Sequence, residues 1–302
     1  MKRSIEATHI GVTASALLEL MKPVTWFPPM WAFMCGVISA GTSVEGRWSF
    51  VALGAILTGP LVCATSQIVN DWFDRGVDAI NEPYRPIPSG RVPGDWGLYF
   101  AVLWSAVSLA VASTLGNIVF VATIIGLVLA WAYSAPPVRL KTNGWWGNSA
   151  VALCYEGLPW ITGASVMAGA LPNWPGLVVP LLYSFGAHGI MTLNDFKSIE
   201  GDKRFGIASL PVQHGAERAG LIACVMMAIP QIVVIGLLFD WNRPIHAALI
   251  AVSLAVQLYL MTRLVKSPRE LAPWYNATGV SLYVSGMLIA AFALRSINGA
   301  ML

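Results

Sequence analysis

Charge is what this sequence has least of. Of its 302 residues only 11% are Asp, Glu, Lys or Arg, against about 25% in a soluble protein of average composition. So few charges cannot coat a globule of this size, which excludes an ordinary water-soluble enzyme. Cysteine is as scarce. Cys35, Cys63, Cys154 and Cys224 each fall in an apolar stretch and none has C-x-x-C spacing, so neither a disulfide nor a zinc site is expected. The net charge of +3, spread over loop lysines and arginines, excludes nucleic acid as a partner. No G-x-G-x-x-G follows a strand-like run, which removes a bound nicotinamide or flavin. Glu6, His9 and Glu19 interrupt the first residues, so no cleavable signal is read there and the amino terminus is expected to be retained.

What is present in quantity is apolar sequence. Hydrophobic residues make up 56% of the chain, in recurring stretches of about 17 to 25 residues, each long enough to cross a hydrocarbon layer roughly 30 Å thick. The fold class this implies is an all-α integral membrane protein whose solvent is the bilayer. Nine spans are expected, at 23–40, 50–69, 96–115, 118–133, 148–168, 174–193, 219–239, 244–264 and 273–294, in one polytopic domain covering 1–302. Very short links, such as Gly116–Asn117, make neighbouring spans antiparallel.

Sorting the basic residues by side gives the orientation. Lys2, Arg3, Lys22, Arg75, Arg85, Arg91, Arg139, Lys141, Lys197, Lys203, Arg204, Arg218, Arg263, Lys266 and Arg269 fall on the amino-terminal side, and only Arg47, Arg243 and Arg295 on the other. Basic loops stay cytoplasmic. The amino terminus and long loops are therefore expected in the cytoplasm, and the carboxyl terminus outside.

An internal echo then emerges. The second span ends in N-D-W-F-D-R-G-V-D (Asn70–Asp78) and the sixth in N-D-F-K-S-I-E-G-D (Asn194–Asp202). Both spans run outside to inside, so both acidic clusters reach the same face and converge on one site. Transporters also carry internal repeats, so this symmetry alone does not distinguish an enzyme from a carrier of polyprenyl or nucleotide diphosphates. On a continued helix Asn70, Asp74 and Asp78 form one stripe with Asp71 beside it. Each carboxylate at membrane depth costs about 2.5 to 3.5 kcal/mol on insertion scales, so a bound cation or basic partners are required. Oxygen ligands without His or Cys favour Mg²⁺, with Mn²⁺ able to substitute, held by one or two carboxylates and by substrate phosphates. The ligand implied is a diphosphate.

Asn70, Asp71, Asp74, Asp78, Asp195, Glu200 and Asp202 are the candidate metal ligands, and Asp74, Asp78, Asp195 and Asp202 the candidate catalytic carboxylates. Arg85, in a proline-stiffened loop, together with Arg139, Lys141, Lys197, Lys203 and Arg204, is assigned to diphosphate oxygens. Loss of diphosphate from an allylic carbon leaves a carbocation that aromatic faces stabilise and shield. Tyr133, Ser134, Glu156, His188 and Trp160 are the candidates for the acceptor or prenyl pocket. For Trp160 core packing, and for Glu156 and His188 hydrogen bonding between helices, are the competing readings.

These residues resemble the UbiA superfamily of intramembrane prenyltransferases, whose first signature is N-D-x-x-D-x-x-x-D. Within it, N-D-W-F-D-R-G-V-D-A-I-N-E-P-Y-R-P-I-P-S-G, Y-S-A-P-P-V-R-L-K and N-D-F-K-S-I-E-G-D-K-R-F-G are similar to chlorophyll and bacteriochlorophyll synthases, and C-Y-E-G-L-P-W (Cys154–Trp160) to the bacteriochlorophyll branch. The resemblance implies Mg²⁺-dependent esterification of a chlorophyllide-type propionate with geranylgeranyl or phytyl diphosphate in a bacterial inner membrane, with other pigment-biosynthesis proteins as possible partners. A quinone precursor or haem is the alternative acceptor. Ser198 stands where many relatives have the first Asp of D-x-x-x-D.

Overall fold

The computed structural model describes residues 12–299; Lys2, Arg3, Glu6 and His9 lie outside the described residues. A short helix α1 (Ala14–Met21) is followed by α2 (Phe27–Ser39), α3 (Trp48–Asn81), α4 (Trp96–Leu115), α5 (Asn117–Ser134) and α6, which runs over 144–168. Then come α7 (Trp174–Asp195), the short α8 (Ile199–Arg204) and α9 (Leu210–His214), and the long α10 (Ala216–Asp240), α11 (Pro244–Leu264) and α12 (Pro268–Asn298). Among the described residues there is no β-sheet.

Seven of these helices, α3, α4, α5, α7, α10, α11 and α12, are long and apolar enough to cross a membrane. The spans expected at 23–40 and 148–168 fall short of that standard for different reasons. The helix α2 has 13 residues, about 20 Å at the helical rise. The helix α6 is long enough but falls short on composition, with Asn148 and Glu156 within it.

Two helices contain π-helical turns, at Leu57–Cys63 in α3 and Leu153–Gly157 in α6. Each accompanies a proline, Pro60 or Pro159, whose missing N–H and crowded ring break the regular α ladder. The carbonyl of Pro60 accepts from Trp104 Nε1 at 3.2 Å.

Small residues set the helix crossings. A Cβ at Gly36 of α2 would run into the Trp160 carbonyl oxygen, and one at Gly163 of α6 into that of Phe33. Without a hydrophobic drive between helices in lipid, such backbone approach and interhelical hydrogen bonds supply the association. Trp160 Nε1 donates to Ser39 Oγ at 3.0 Å across the same crossing, and Tyr283 Oη donates to the Tyr183 carbonyl at 2.6 Å between α12 and α7.

Between α10 and α11, Gln231 and Gln257 exchange two amide hydrogen bonds of 3.1 and 3.0 Å, both side chains fully buried. Leucine at Gln231 alone leaves the Gln257 carbonyl oxygen without its donor, its Nε2 keeping only Ser253 Oγ at 3.4 Å, and should lower stability by about 1 kcal/mol or more. The Gln231→Leu/Gln257→Leu double variant should recover most of that loss. Thermal unfolding in detergent reads both; equal loss in the single and double variants would deny the pairing.

The two ends of the bundle differ. At one end Arg47 Nη1 donates to the Val166 carbonyl (3.1 Å), Arg243 Nη2 to that of Ser296 (2.9 Å) and Asn298 Nδ2 to that of Ser39 (2.7 Å). The other end gathers α1, the 82–95 loop, the 135–143 loop and the segment 196–215. There Gly144 N donates to the Ala208 carbonyl (2.8 Å) and Ala208 N to that of Thr142 (2.9 Å), a parallel bridge joining two loops far apart in sequence.

Candidate active site

Asn70 of the first acidic motif and Asn194 and Asp195 of the second line a single cavity of about 240 Å³, whereas Asp71, Asp74, Asp78, Glu200 and Asp202 do not line it. Asn70, Gln67 and Ser66 of α3 form one wall, Tyr133 of α5 a second, and Asn148 of α6 with Asn194 and Asp195 of α7 a third. Residues from both π turns line it as well, Thr58, Val62 and Cys63 from α3 and Cys154 and Tyr155 from α6. A π turn widens the helix and redirects side chains, which is why it recurs at functional sites.

The first motif does not present one stripe. Asn70 and Asp74 look one way, with Asn70 Nδ2 donating to Asp74 Oδ2 and to Ser134 Oγ, each at 3.1 Å. Asp71 and Asp78 look another way, toward Lys22 and Arg85. At about 100° per residue, seven residues return to within about 20° of the same face. Asp78 therefore pairs with Asp71 rather than with Asp74, which corrects the single-stripe expectation.

Every carboxylate of this motif holds a cation. Lys141 Nζ lies 2.5 and 2.6 Å from the two Asp74 oxygens, with Arg139 Nη2 at 3.9 Å from Oδ1. Asp71, 1% exposed, receives Lys22 Nζ at 2.6 Å and Arg85 Nη1 at 3.3 Å on the same oxygen, Oδ1, while its Oδ2 has no partner. Arg85 Nη1 also donates to Asp78 Oδ2 at 2.9 Å, and Nε pairs with Glu82. Burial opposes the charge on Arg85, yet Asp71, Asp78 and Glu82 together hold its pKa above the usual value, so the guanidinium is taken up by three carboxylates. Burial lowers the pKa of Lys141, and Asp74 counteracts it only in part.

The second motif is arranged differently. Asp195 Oδ2 accepts from Asn148 Nδ2 at 3.0 Å, and Asp202 Oδ2 from Ser198 Oγ at 2.9 Å and Ser209 Oγ at 2.6 Å. These are neutral donors only. Ser198 thus serves as a hydrogen-bond donor to the second-motif carboxylate. Glu200 pairs at 3.4 Å with Arg269 on the exposed surface, and Lys197, Lys203 and Arg204 are exposed without an ion pair among the described residues.

Four expected pocket residues, Ser134, Glu156, Trp160 and His188, do not line the cavity. Trp160 is fully buried between Ser39 and the stacked Tyr183 ring. His188 is buried against Trp145, 5.4 Å between ring centroids, and both its ring nitrogens lack partners. Glu156, on the inner side of the α6 π turn, has its Oε2 unpartnered. Core packing prevails at Trp160 because the α2–α6 crossing closes over it. Ser134 reaches the site only through Asn70.

Lys22, Asn148 and Ser209 were not singled out by motif. Lys22 reads only as one more basic residue at a membrane boundary, although its position directly before Pro23 marks the sharp turn, φ +47, that aims it back. Asn148, an amide at the start of an apolar stretch, carries the clearer signal.

Residues 26–294 match the UbiA prenyltransferase family. The chain belongs to that family. Among UbiA relatives it is 56% identical over 283 residues, 94% of both chains, to the bacteriochlorophyll synthase 33 kDa chain of Cereibacter sphaeroides. It is 38% identical over 288 residues to the chloroplastic chlorophyll synthase of Oryza sativa subsp. japonica, covering 91% of this chain and 76% of that one. A UbiA homologue from Archaeoglobus fulgidus bound to GPP and Mg²⁺ shares the fold, with a TM-score of 0.71 at 21% identity over 93% of this chain and 99% of that one.

Proposed function

We propose that this UbiA prenyltransferase is a bacteriochlorophyll synthase, a single domain over 1–302 that esterifies the propionate of a bacteriochlorophyllide with geranylgeranyl or phytyl diphosphate. The observation that carries the reading is the convergence of Asn70 and Asn194–Asp195 on one cavity, in a chain 56% identical along nearly its whole length to a bacteriochlorophyll synthase chain. The site end faces the cytoplasm on the excess of basic residues there. The helices α2 and α6 complete nine crossings, since each runs from the site end to the opposite end, where Asn298 meets Ser39 and Arg47 meets Val166.

The donors fit Mg²⁺. They are all oxygens, and Asp195 and Asp202 accept hydrogen bonds from neutral donors and make no ion pair among the described residues. Among the described residues no three Asp, Glu, His or Cys side chains stand close enough to hold an ion by themselves, and Mg²⁺ commonly takes part of its shell from substrate phosphates. Asn70, Asp74, Asp195 and Asp202 would hold it, and when bound it draws charge from the departing diphosphate.

The chain's own residues then have separate tasks. Lys141 and Arg139, which stand beside Asp74, receive diphosphate oxygens and stabilise charge on the leaving group. Lys22 and Arg85 keep Asp71 and Asp78 in place from behind. Tyr133 and Tyr155 line the cavity beneath the polar rim and keep water from the allylic cation. The acceptor is already a carboxylate near neutral pH, so no general base is needed to deprotonate it. The deciding assay supplies purified protein with geranylgeranyl diphosphate, Mg²⁺ and bacteriochlorophyllide and looks for esterified pigment by chromatography. Diphosphate release without pigment ester would point to another acceptor.

A second, smaller cavity continues from the first, sharing Thr58, Val62, Gly126 and Cys154 and ending among Leu158, Pro159 and Thr162. This apolar continuation suits the prenyl tail. A Cβ at Gly126 would lie 3.5 Å from Val62 Cγ1, ordinary contact, so a larger side chain there fills the passage without disturbing backbone. Gly126→Leu should reduce use of geranylgeranyl relative to geranyl diphosphate by about tenfold or more, measured by product ratio in competition. An unchanged ratio would place the tail elsewhere.

A further inference from the structure

The two motifs are alike in sequence but opposite in electrostatic state. Asp195 and Asp202 accept only from Asn148, Ser198 and Ser209. Asp74 is saturated. Lys141 Nζ spans both its oxygens at 2.5 and 2.6 Å, Asn70 adds a hydrogen bond to Oδ2, and Arg139 stands 3.9 Å from Oδ1. Lys141 is held there by its backbone as well as its charge. It sits in a tight turn, Leu140–Thr142, that follows Arg139 at φ +38, and its Cα packs so closely on α6 that a Cβ at Gly147 would lie 3.1 Å from it.

A divalent ion and an ammonium cannot share one carboxylate at such distances without strong repulsion, and the buried setting screens it little. Asp74 is therefore closed to metal for as long as Lys141 occupies it. A diphosphate entering the cavity offers the ammonium a more highly charged partner within reach of the same flexible side chain.

We infer that Lys141 is a tethered counter-cation that closes Asp74 to metal until a diphosphate draws it off, so that the first motif takes its metal only together with a diphosphate. The inference rests on the prenyl-diphosphate reading of the cavity and deepens it. It makes the binding of metal and diphosphate mutually reinforcing, with a coupling that by linkage is the same in either order. Asp195 and Asp202, free of any tethered cation, are the part of the site open to metal beforehand.

The test is a titration of the full chain in detergent with Mn²⁺, read by the paramagnetic resonance of free ion, first without any diphosphate. Lys141→Gln is expected to bind Mn²⁺ about tenfold more tightly than the wild type. Lys141→Arg should stay at the wild-type value, and Lys141→Gln/Asp74→Asn should return to it. No gain in Lys141→Gln overturns the proposal. If that variant does not purify folded, Lys141→Met decides by the same titration. An unmutated measurement covers both. In ¹⁵N-lysine protein, geranylgeranyl diphosphate alone should shift the Lys141 ammonium signal and Mg²⁺ alone should not; a shift with Mg²⁺ alone overturns the proposal. Wild-type protein whose Mn²⁺ binding is not tightened even by geranylgeranyl diphosphate would overturn the prenyl-diphosphate reading itself.

Discussion

Asparagine at Asp195 is expected to cut prenyl transfer by about 10²- to 10³-fold while leaving the protein folded. The two properties separate because of what surrounds this side chain. Its one hydrogen bond comes from the neutral Asn148 amide at 3.0 Å, which the oxygen of an asparagine accepts as well. No cation is stranded by the change, so the unfolding temperature should move little, whereas the charge facing the cavity is lost. Rates at saturating Mg²⁺ and a thermal melt on the same preparation check both halves. Asp71→Asn should behave in the opposite sense. Lys22 and Arg85 both converge on Asp71 Oδ1, and neutralising it leaves the half-buried Lys22 without its carboxylate and Arg85 with Asp78 and Glu82 alone, a change that costs about 2 kcal/mol. Full activity in Asp195→Asn would remove it from the metal and diphosphate site.

The largest loss of stability is expected at the α2–α6 crossing. Valine at Gly163 places a Cβ against the Phe33 carbonyl oxygen and within 2.9 Å of Val37 N. Both are backbone atoms of a packed helix, so the helices must separate, and the Trp160–Ser39 hydrogen bond at 3.0 Å goes with them. A loss above about 4 kcal/mol belongs to this class of clash. Little folded protein should be recovered on size exclusion in detergent. Gly76 is the control: nothing lies within 4 Å of a Cβ there, and alanine should be silent. Normal recovery of Gly163→Val would mean that the crossing is looser than the close approach of the two backbones implies.

The sequence made the helices and the existence of two converging motifs legible because both depend on local pattern. Apolar length reports a span, and N-D followed by further acids at a span's end reports a site. Asn70, Asn194 and Asp195, which line the cavity, lie in motifs that such a pattern exposes, although Asn194 is not among the candidate ligands read from it. The division of the first motif into two faces was readable in principle from the helical repeat, but which face turns to the cavity depends on where α5 and α6 pack. Lys22 and Asn148 were hidden because their roles arise from partners far away in sequence, Asp71 and Asp195. Arg85 was legible as a cation and not as a clamp on three carboxylates, since its loop must fold back over α3 before Asp71, Asp78 and Glu82 surround it. Trp160 and Glu156 show the reverse: large or ionisable residues in a span invite a functional reading, and helix packing places both outside the cavity.

The short backbone bridge between Thr142–Gly144 and Ala208 bears on how the two halves of the repeat behave mechanically. Carriers built from duplicated halves work by rocking one half against the other around a fixed site. Here the loop that carries Arg139 and Lys141 is stitched by main-chain hydrogen bonds of 2.8 and 2.9 Å to the segment after the second motif, and at the far end Asn298 ties α12 to the Ser39 carbonyl of α2 at 2.7 Å. Rocking would tear the seam at one end and the tie at the other. Both contacts oppose rocking of one half against the other, a construction suited to holding reactants still.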